Sequence, residues 1–167
     1  QQIEGLGIPM VVLQPVDIPD IFKNIRLIGE VMNVEGKAAD LADQLQQRLD
    51  AVVEKTETVT GRPTVFFEID ASDVTKPWTA GPGSFADMLI SLAGGQNMVT
   101  GGGEWIQISF EELLSADPEI IVLSDYPYVT PEDVLNRQGA WQSLRAIKLK
   151  RVAAISDPSL TSRAGPR

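Results

Sequence analysis

Cysteine and histidine are both absent from this 167-residue chain, and aromatic residues make up only 6% of it. Without cysteine there is no disulfide and no thiolate chemistry, although either redox compartment stays open. Without histidine the commonest metal ligand and the commonest neutral-pH general base are missing, which weighs against a zinc site or a histidine-dependent triad. Basic residues are also scarce: 14 Lys and Arg stand against 23 Asp and Glu, with no basic run or stripe. A net charge of −9 so distributed argues against a nucleic-acid partner. Long hydrophobic runs are lacking as well, none approaching the roughly 20 residues that span a bilayer, so the chain reads as soluble.

What is present is the composition of a globular chain, 43% hydrophobic and 22% charged, able to bury one real core. It opens at Gln1-Gln2 and closes at Gly165-Pro166-Arg167, ends that read as cuts inside a longer protein, a lost signal peptide included. The run Leu6–Leu13, "LGIPMVVL", predicts a buried strand ended by "QPVDIPD". Ile18, Ile21, Phe22, Ile25 and Ile28 keep helical spacing behind the cap Asp17, with Gly29 near the end. The stripe Ala38, Leu41, Ala42, Leu45, Leu49, Val52 and Val53 predicts a longer second helix.

"TGRP" then resets the chain into "TVFFEI", an almost unbroken apolar strand of the kind found in parallel sheets covered on both faces. Phe85, Met88, Leu89 and Leu92 mark a helix stopping at Gly94-Gly95. Further on, "DPEIIVLSD" predicts a strand from Glu119 to Leu123, Thr130-Pro131 opens a helix that continues through "GAWQSLRAI", and "RVAAIS" is the last strand. The alternation predicts an α/β fold, a Rossmann-like parallel sheet with flanking helices and right-handed crossovers.

The stretch "TGGGEWIQISFEELL" carries the most chemistry. Ser109 and Glu112 have the spacing of a capping box. Glu111 is left over, either complementing the helix dipole or projecting free. Trp105, behind three glycines, is either an aromatic wall for a ligand or part of a satellite core cluster. Trp78 lies in the loop predicted after the "TVFFEI" strand, and Tyr126 and Tyr128 follow the next strand. Both loops leave the carboxyl ends of strands, where open α/β sheets place ligands, although partial packing accounts for each residue singly. Glu68, Asp70 and Asp73 cluster near one strand end as candidate acid–base or hard-cation residues, but nothing completes a catalytic constellation. "AGPGSFADM" holds a fragment of a dinucleotide motif, with Ala86 at the third glycine position.

The segments "LGIPMVVLQP", "GRPTVFFEI", "WTAGPGSFADMLISLAGGQNMV", "EWIQISFEELLSADPEIIVLSD" and "AWQSLRAIKLKRVAAISDPSLTSRAGPR" together resemble the periplasmic binding proteins of ABC importers for iron siderophores, haem and cobalamin. The resemblance covers essentially the whole chain, with Ala164 where proline is common. It implies two α/β lobes joined by one long helix, the ligand lying between them. Residues 1–16 would hold the last strand of the first lobe, 17–59 the inter-lobe helices and 60–167 the second lobe. Most of the first lobe and the usual last helix would be missing. A rigid linking helix implies small hinge motions.

The resemblance further implies that Glu111 docks onto arginines of a membrane permease, paired with an acid on the other lobe, and that Trp105 stacks on the ligand. Direct zinc or manganese capture normally needs histidines, so a chelate is expected as ligand: ferric siderophore, cobalamin or haem. Arg163 is a candidate partner for its carboxylate or phosphate, and the tyrosines for a porphyrin or catecholate. The implied protein is extracytoplasmic, periplasmic or lipid-anchored, monomeric at full length, not an enzyme, and without a cofactor of its own. The competing expectation is an enzyme or cofactor-assembly subunit on a related α/β fold, using Asp70 or Asp73.

Overall fold

The computed structural model describes residues 7, 9–13 and 15–157. The chain divides into two compact units, Gln1–Gln47 and Arg48–Arg167. Among the described residues, no helix is long and apolar enough to cross a membrane.

In the first unit, α1 (Ile18–Val31) starts at Asp17, whose side chain accepts the Asp20 N–H at 2.8 Å, with Pro19 in the first turn. The long helix α2 (Glu35–Glu57) begins in this unit, and Ala38 and Ala42 are its buried residues. Gly29 lies near the end of α1, as expected, within its last turn. A Cβ at Gly29 would meet the Ala38 Cβ at 2.3 Å, so this glycine serves the close approach of α1 to α2. Arg26 and Asp43 pair across the same two helices at 2.8 Å. The strand expected over Leu6–Leu13 is not formed in its described residues, 7 and 9–13. Residues 9–13 have no regular structure, and Met10, Val11, Val12 and Leu13 are exposed. A strand needs a neighbour for its backbone groups, and no described strand pairs with this segment.

The second unit is built on a six-stranded sheet: β1 (Thr64–Asp70), β2 (Trp78–Ala80), β3 (Gln96–Asn97), β4 (Trp105–Gln107), β5 (Ile120–Leu123) and β6 (Val152–Ala154), in the order β4-β2-β1-β5-β6, with β3 also on β1. β1, β5 and β6 run parallel, as the unbroken apolar run in "TVFFEID" requires. β3 is parallel to the first half of β1, while β2 is antiparallel to its second half and β4 antiparallel to β2. The sheet is therefore mixed at one edge, because the short turn 71–77 can return the chain only antiparallel.

Helices cover both faces. On one, Phe66, Ile121 and Leu123 pack with Leu113, Val134, Trp141, Leu144 and Ile147, contributed by α4 (Phe110–Ala116), α5 (Pro131–Leu135), the 3-10 helix Gly139–Ser143 and α6 (Arg145–Lys148), with Leu144 joining the last two. On the other, Val65, Phe67 and Ala80 pack with Ala86 and Ile90 of α3 (Phe85–Leu92). Ser84 caps α3 by accepting the Asp87 N–H, and Gly94, at φ +80°, follows its end. The helix expected to continue from α5 is broken: Gly139 takes φ +74°, and the chain passes through the 3-10 turn before α6.

Candidate functional site

Trp78 and Trp105 open short strands and do not sit on loose loops, which revises their expected setting. β2 and β4 pair with Trp78 opposite Gln107 and Ala80 opposite Trp105. Paired residues share a face, so the two indoles lie on the same side of the sheet as diagonal neighbours, with Cα atoms roughly 7–8 Å apart in this geometry. Neither is core: Trp78 is 43% exposed and Trp105 51%. Three-residue strands bounded by Pro77 and the glycine run carry too little alternation to be read from sequence. Gly81, directly after β2, has a backbone reason. A Cβ on Gly81 would meet the Gly103 carbonyl oxygen at 2.0 Å, and the Gly81 N–H donates to the Glu104 carbonyl at 2.8 Å.

Asp70, at the carboxyl end of β1, lies opposite Trp78. Trp78 is thus on the rim where the parallel strands end, and Trp105 sits two residues lower on the edge strand, about 7 Å away at strand rise. The rim continues into α4. The carbonyls of Thr75, Lys76 and Pro77 accept in turn from the Phe110 N–H, the Gln107 side-chain amide and the Ile108 N–H, at 3.0, 2.7 and 3.1 Å. These bonds fix the first turn of α4 beside the 71–77 turn. There the capping box forms as expected: Ser109 N–H to Glu112 at 2.7 Å, Glu112 N–H to the Ser109 hydroxyl at 3.2 Å. The Ser109 bonds hold the Glu112 carboxyl below its ordinary value. Glu111, one residue earlier, is exposed and takes no part in the box.

Across β1, the segment after β5 brings Tyr126 and Tyr128 to the same rim, roughly 10 Å from β2 at two strand spacings. Tyr126 is half-buried and Tyr128 is 91% exposed. Arg163 lies outside the described residues. The aromatic face is open. Two cavities elsewhere, of about 340 Å³ beside Met98, Ile106, Ile108 and Glu112 and about 250 Å³ beside Arg62, Asp87 and Asn97, are lined by none of Trp78, Trp105, Tyr126 or Tyr128.

The acids flagged near β1 separate. The Asp70 carboxylate accepts the Ser72 N–H at 2.7 Å, and Asp73 accepts the Thr75 N–H and hydroxyl at 2.9 and 2.6 Å. The Thr75 bonds lower the Asp73 pKa, which suits a turn-forming carboxylate and not a proton-accepting one. Among the described residues, no group of three acidic residues is placed to hold a metal ion.

Glu68 is different, because it is fully buried inside β1. Its two carboxylate oxygens accept from the two terminal nitrogens of Arg137, each at 2.6 Å. The Arg137 guanidinium lies 4.5 Å above the Trp141 ring, which stacks on Phe110 at 5.1 Å. Arg137 went unnoticed in the sequence. A charge embedded in "VFFEI" signals that a partner must exist, but 69 residues separate the two. Asp125 was also missed. It is part-buried above Glu68, and burial followed by the Glu68 charge pushes its carboxyl up to about 6.

Comparison with known proteins adds to this geometry. Residues 1–158 match the family model described as periplasmic binding protein. An uncharacterised ABC transporter substrate-binding lipoprotein of Bacillus subtilis is 27% identical over 168 residues, covering all of this chain and 52% of the relative. The vitamin B12-binding protein of Pectobacterium carotovorum is 23% identical over 169 residues, covering 57% of that protein. A crystal structure of a possible iron-binding, periplasmic solute-binding protein of Staphylococcus epidermidis superposes with a TM-score of 0.84 at 19% identity, over 99% of this chain and 64% of that one. The chain thus spans about half the length of the curated relatives it matches.

Proposed function

The chain belongs to the periplasmic binding protein family, and from that premise we propose that it supplies the carboxy-terminal lobe of the substrate-binding component of an ABC importer. In this reading residues 1–16 come from the first lobe, 17–59 link the lobes and 60–167 form the second. The observation that carries it is the pair of half-exposed tryptophans on adjacent strands, facing the same side, with Trp78 at the rim where the parallel strands end and Trp105 two residues below it. Monomeric proteins seldom leave two indoles exposed side by side without use, and flat aromatic faces suit a broad, rigid ligand. The open face is one wall of a cleft whose other wall a first lobe would provide.

The ligand is a metal chelate: cobalamin, haem or a ferric siderophore. The B12-binding relative supports this class, and the absence of histidine from the chain disfavours capture of a bare zinc or manganese ion. Trp78, Trp105 and Tyr128 would contact its face, with Tyr126 and Arg163 at its edge. Glu111, exposed on an anchored helix start, would dock onto a basic surface of the permease, and the negative charge of the whole chain would steer the encounter. The location is extracytoplasmic, in line with the substrate-binding lipoprotein among the relatives. The protein catalyses nothing in this reading, since Asp70 and Asp73 are occupied in turns.

Calorimetric titration of the complete gene product against cobalamin, haem and a panel of ferric siderophores tests the proposal. Saturable binding of one of them is expected. Failure of the entire panel, with turnover by Asp70 or Asp73 found instead, would return the protein to the enzyme class.

A further inference from the structure

One oxygen of the Asp125 carboxyl, Oδ1, is buried without a hydrogen-bond partner among the described residues. Glu68 and Asp70, both from β1, disfavour its charged form, and Arg137, from the turn after α5, favours it. Arg137 spends its bidentate contact on Glu68, and no hydrogen bond from it reaches the buried Asp125 Oδ1. Nor can the backbone withdraw. Ser124 donates its N–H and its hydroxyl to the Glu68 carbonyl at 2.9 and 3.2 Å, and the Tyr128 N–H donates to the Asp125 carbonyl at 2.9 Å. Pinned on both sides, the carboxyl has two ways to avoid an unpaired buried charge. It packs inward as the neutral acid, or it turns outward to water as the anion. Burial and the neighbouring acid place the exchange near neutrality, at about 6.

We propose that Asp125 is a proton-operated latch beside the tyrosines of segment 124–129: neutral, its side chain packs above the Glu68–Arg137 pair; ionised, the side chain turns out to water and changes the surroundings of Tyr126 and Tyr128. The two states differ in one proton and one side-chain placement, and a binding face built on this segment changes shape with pH. That the segment belongs to a ligand face rests on the function proposed above; the titration does not.

Tyr126 and Tyr128 are the two tyrosines of the chain, so fluorotyrosine labelling places fluorine probes in this segment alone. Fluorine resonances followed without ligand between about pH 5 and 7.5, below the usual tyrosine pKa, should move along a curve with its midpoint near 6, and Asp125→Asn should abolish it. In parallel, 13C-carboxyl aspartate labelling of the unmodified sequence should show one side-chain resonance with the same midpoint. That second measurement holds even if the variant fails to fold. Absence of a midpoint in this window, or an unchanged curve in Asp125→Asn, overturns the latch and leaves the ligand reading standing.

Discussion

Replacing Arg137 by methionine removes the guanidinium while keeping most of the apolar stem, and leaves Glu68 with its carboxylate sealed inside the sheet. Glu68 is 0% exposed and both its oxygens depend on Arg137, so no water can replace the lost bonds without opening the fold. Breaking a buried ion pair from one side costs about 3–5 kcal/mol. Loss of the cation–π contact with Trp141 acts in the same direction, by about 0.5–2 kcal/mol. At roughly 2–4 °C per kcal/mol for a chain of this size, the two losses together should lower the melting temperature by about 7–28 °C. The double variant Glu68→Met, Arg137→Met removes both charges, and apolar replacements of buried pairs are often neutral or stabilising. It should therefore recover more than half of the loss. Chemical denaturation with Trp141 as the internal reporter gives both values. A single variant losing less than about 1 kcal/mol, or a double variant no better than the single, would refute the claim that the cost comes from a stranded carboxylate.

The remaining expectations use other parts of the structure. Glu112→Ala, which opens the α4 capping box, should lower the unfolding midpoint, whereas the charge reversal Glu111→Lys, outside the box, should move it less. In transport assays the order inverts: Glu111→Lys lowers uptake at unchanged ligand affinity, and parallel loss of both would sink the docking role. Gly29→Ala forces a methyl onto Ala38 and should destabilise by about 1–3 kcal/mol; a neutral result in thermal melts would contradict the close approach of α1 and α2. Asp125 has a folded pKa raised from 3.8 to about 6, so its contribution is complete below the unfolded value and is lost as pH rises through 6. Asp125→Asn should flatten the stability curve across that window and stabilise the protein at pH 7.5 by about 1–2 kcal/mol, the full shift being discounted for a side chain still partly in contact with solvent.

Much of the second unit was legible because its signals are local. Ser109 and Thr130 announce the starts of α4 and α5, and the apolar run from Thr64 to Ile69 announces a strand covered on both sides. What escaped depends on partners far along the chain. β2 and β4 are strands only because each has the other beside it, so Trp78 and Trp105 looked like loop residues. Leu6–Leu13 shows the converse, with strand composition but no described partner strand. Gly29 was placed correctly near the end of α1, but its closeness to Ala38 is a tertiary contact that its position in the sequence does not state. Glu68 was visible as an acid, but its burial and its pairing with Arg137 are tertiary facts that no spacing rule contains.

The central claim is that Trp78 and Trp105 form a ligand-contacting face. Tryptophan fluorescence of the complete gene product, titrated with the chelate panel and corrected for inner-filter absorption, tests it directly when repeated on Trp78→Phe and Trp105→Phe. Trp141, only 4% exposed, serves as the silent background. The account predicts saturable quenching by one chelate at about micromolar concentration or below, with quenching amplitude and affinity reduced in both variants and the fold intact. Quenching that persists unchanged in both variants would contradict it, as would no response to any member of the panel.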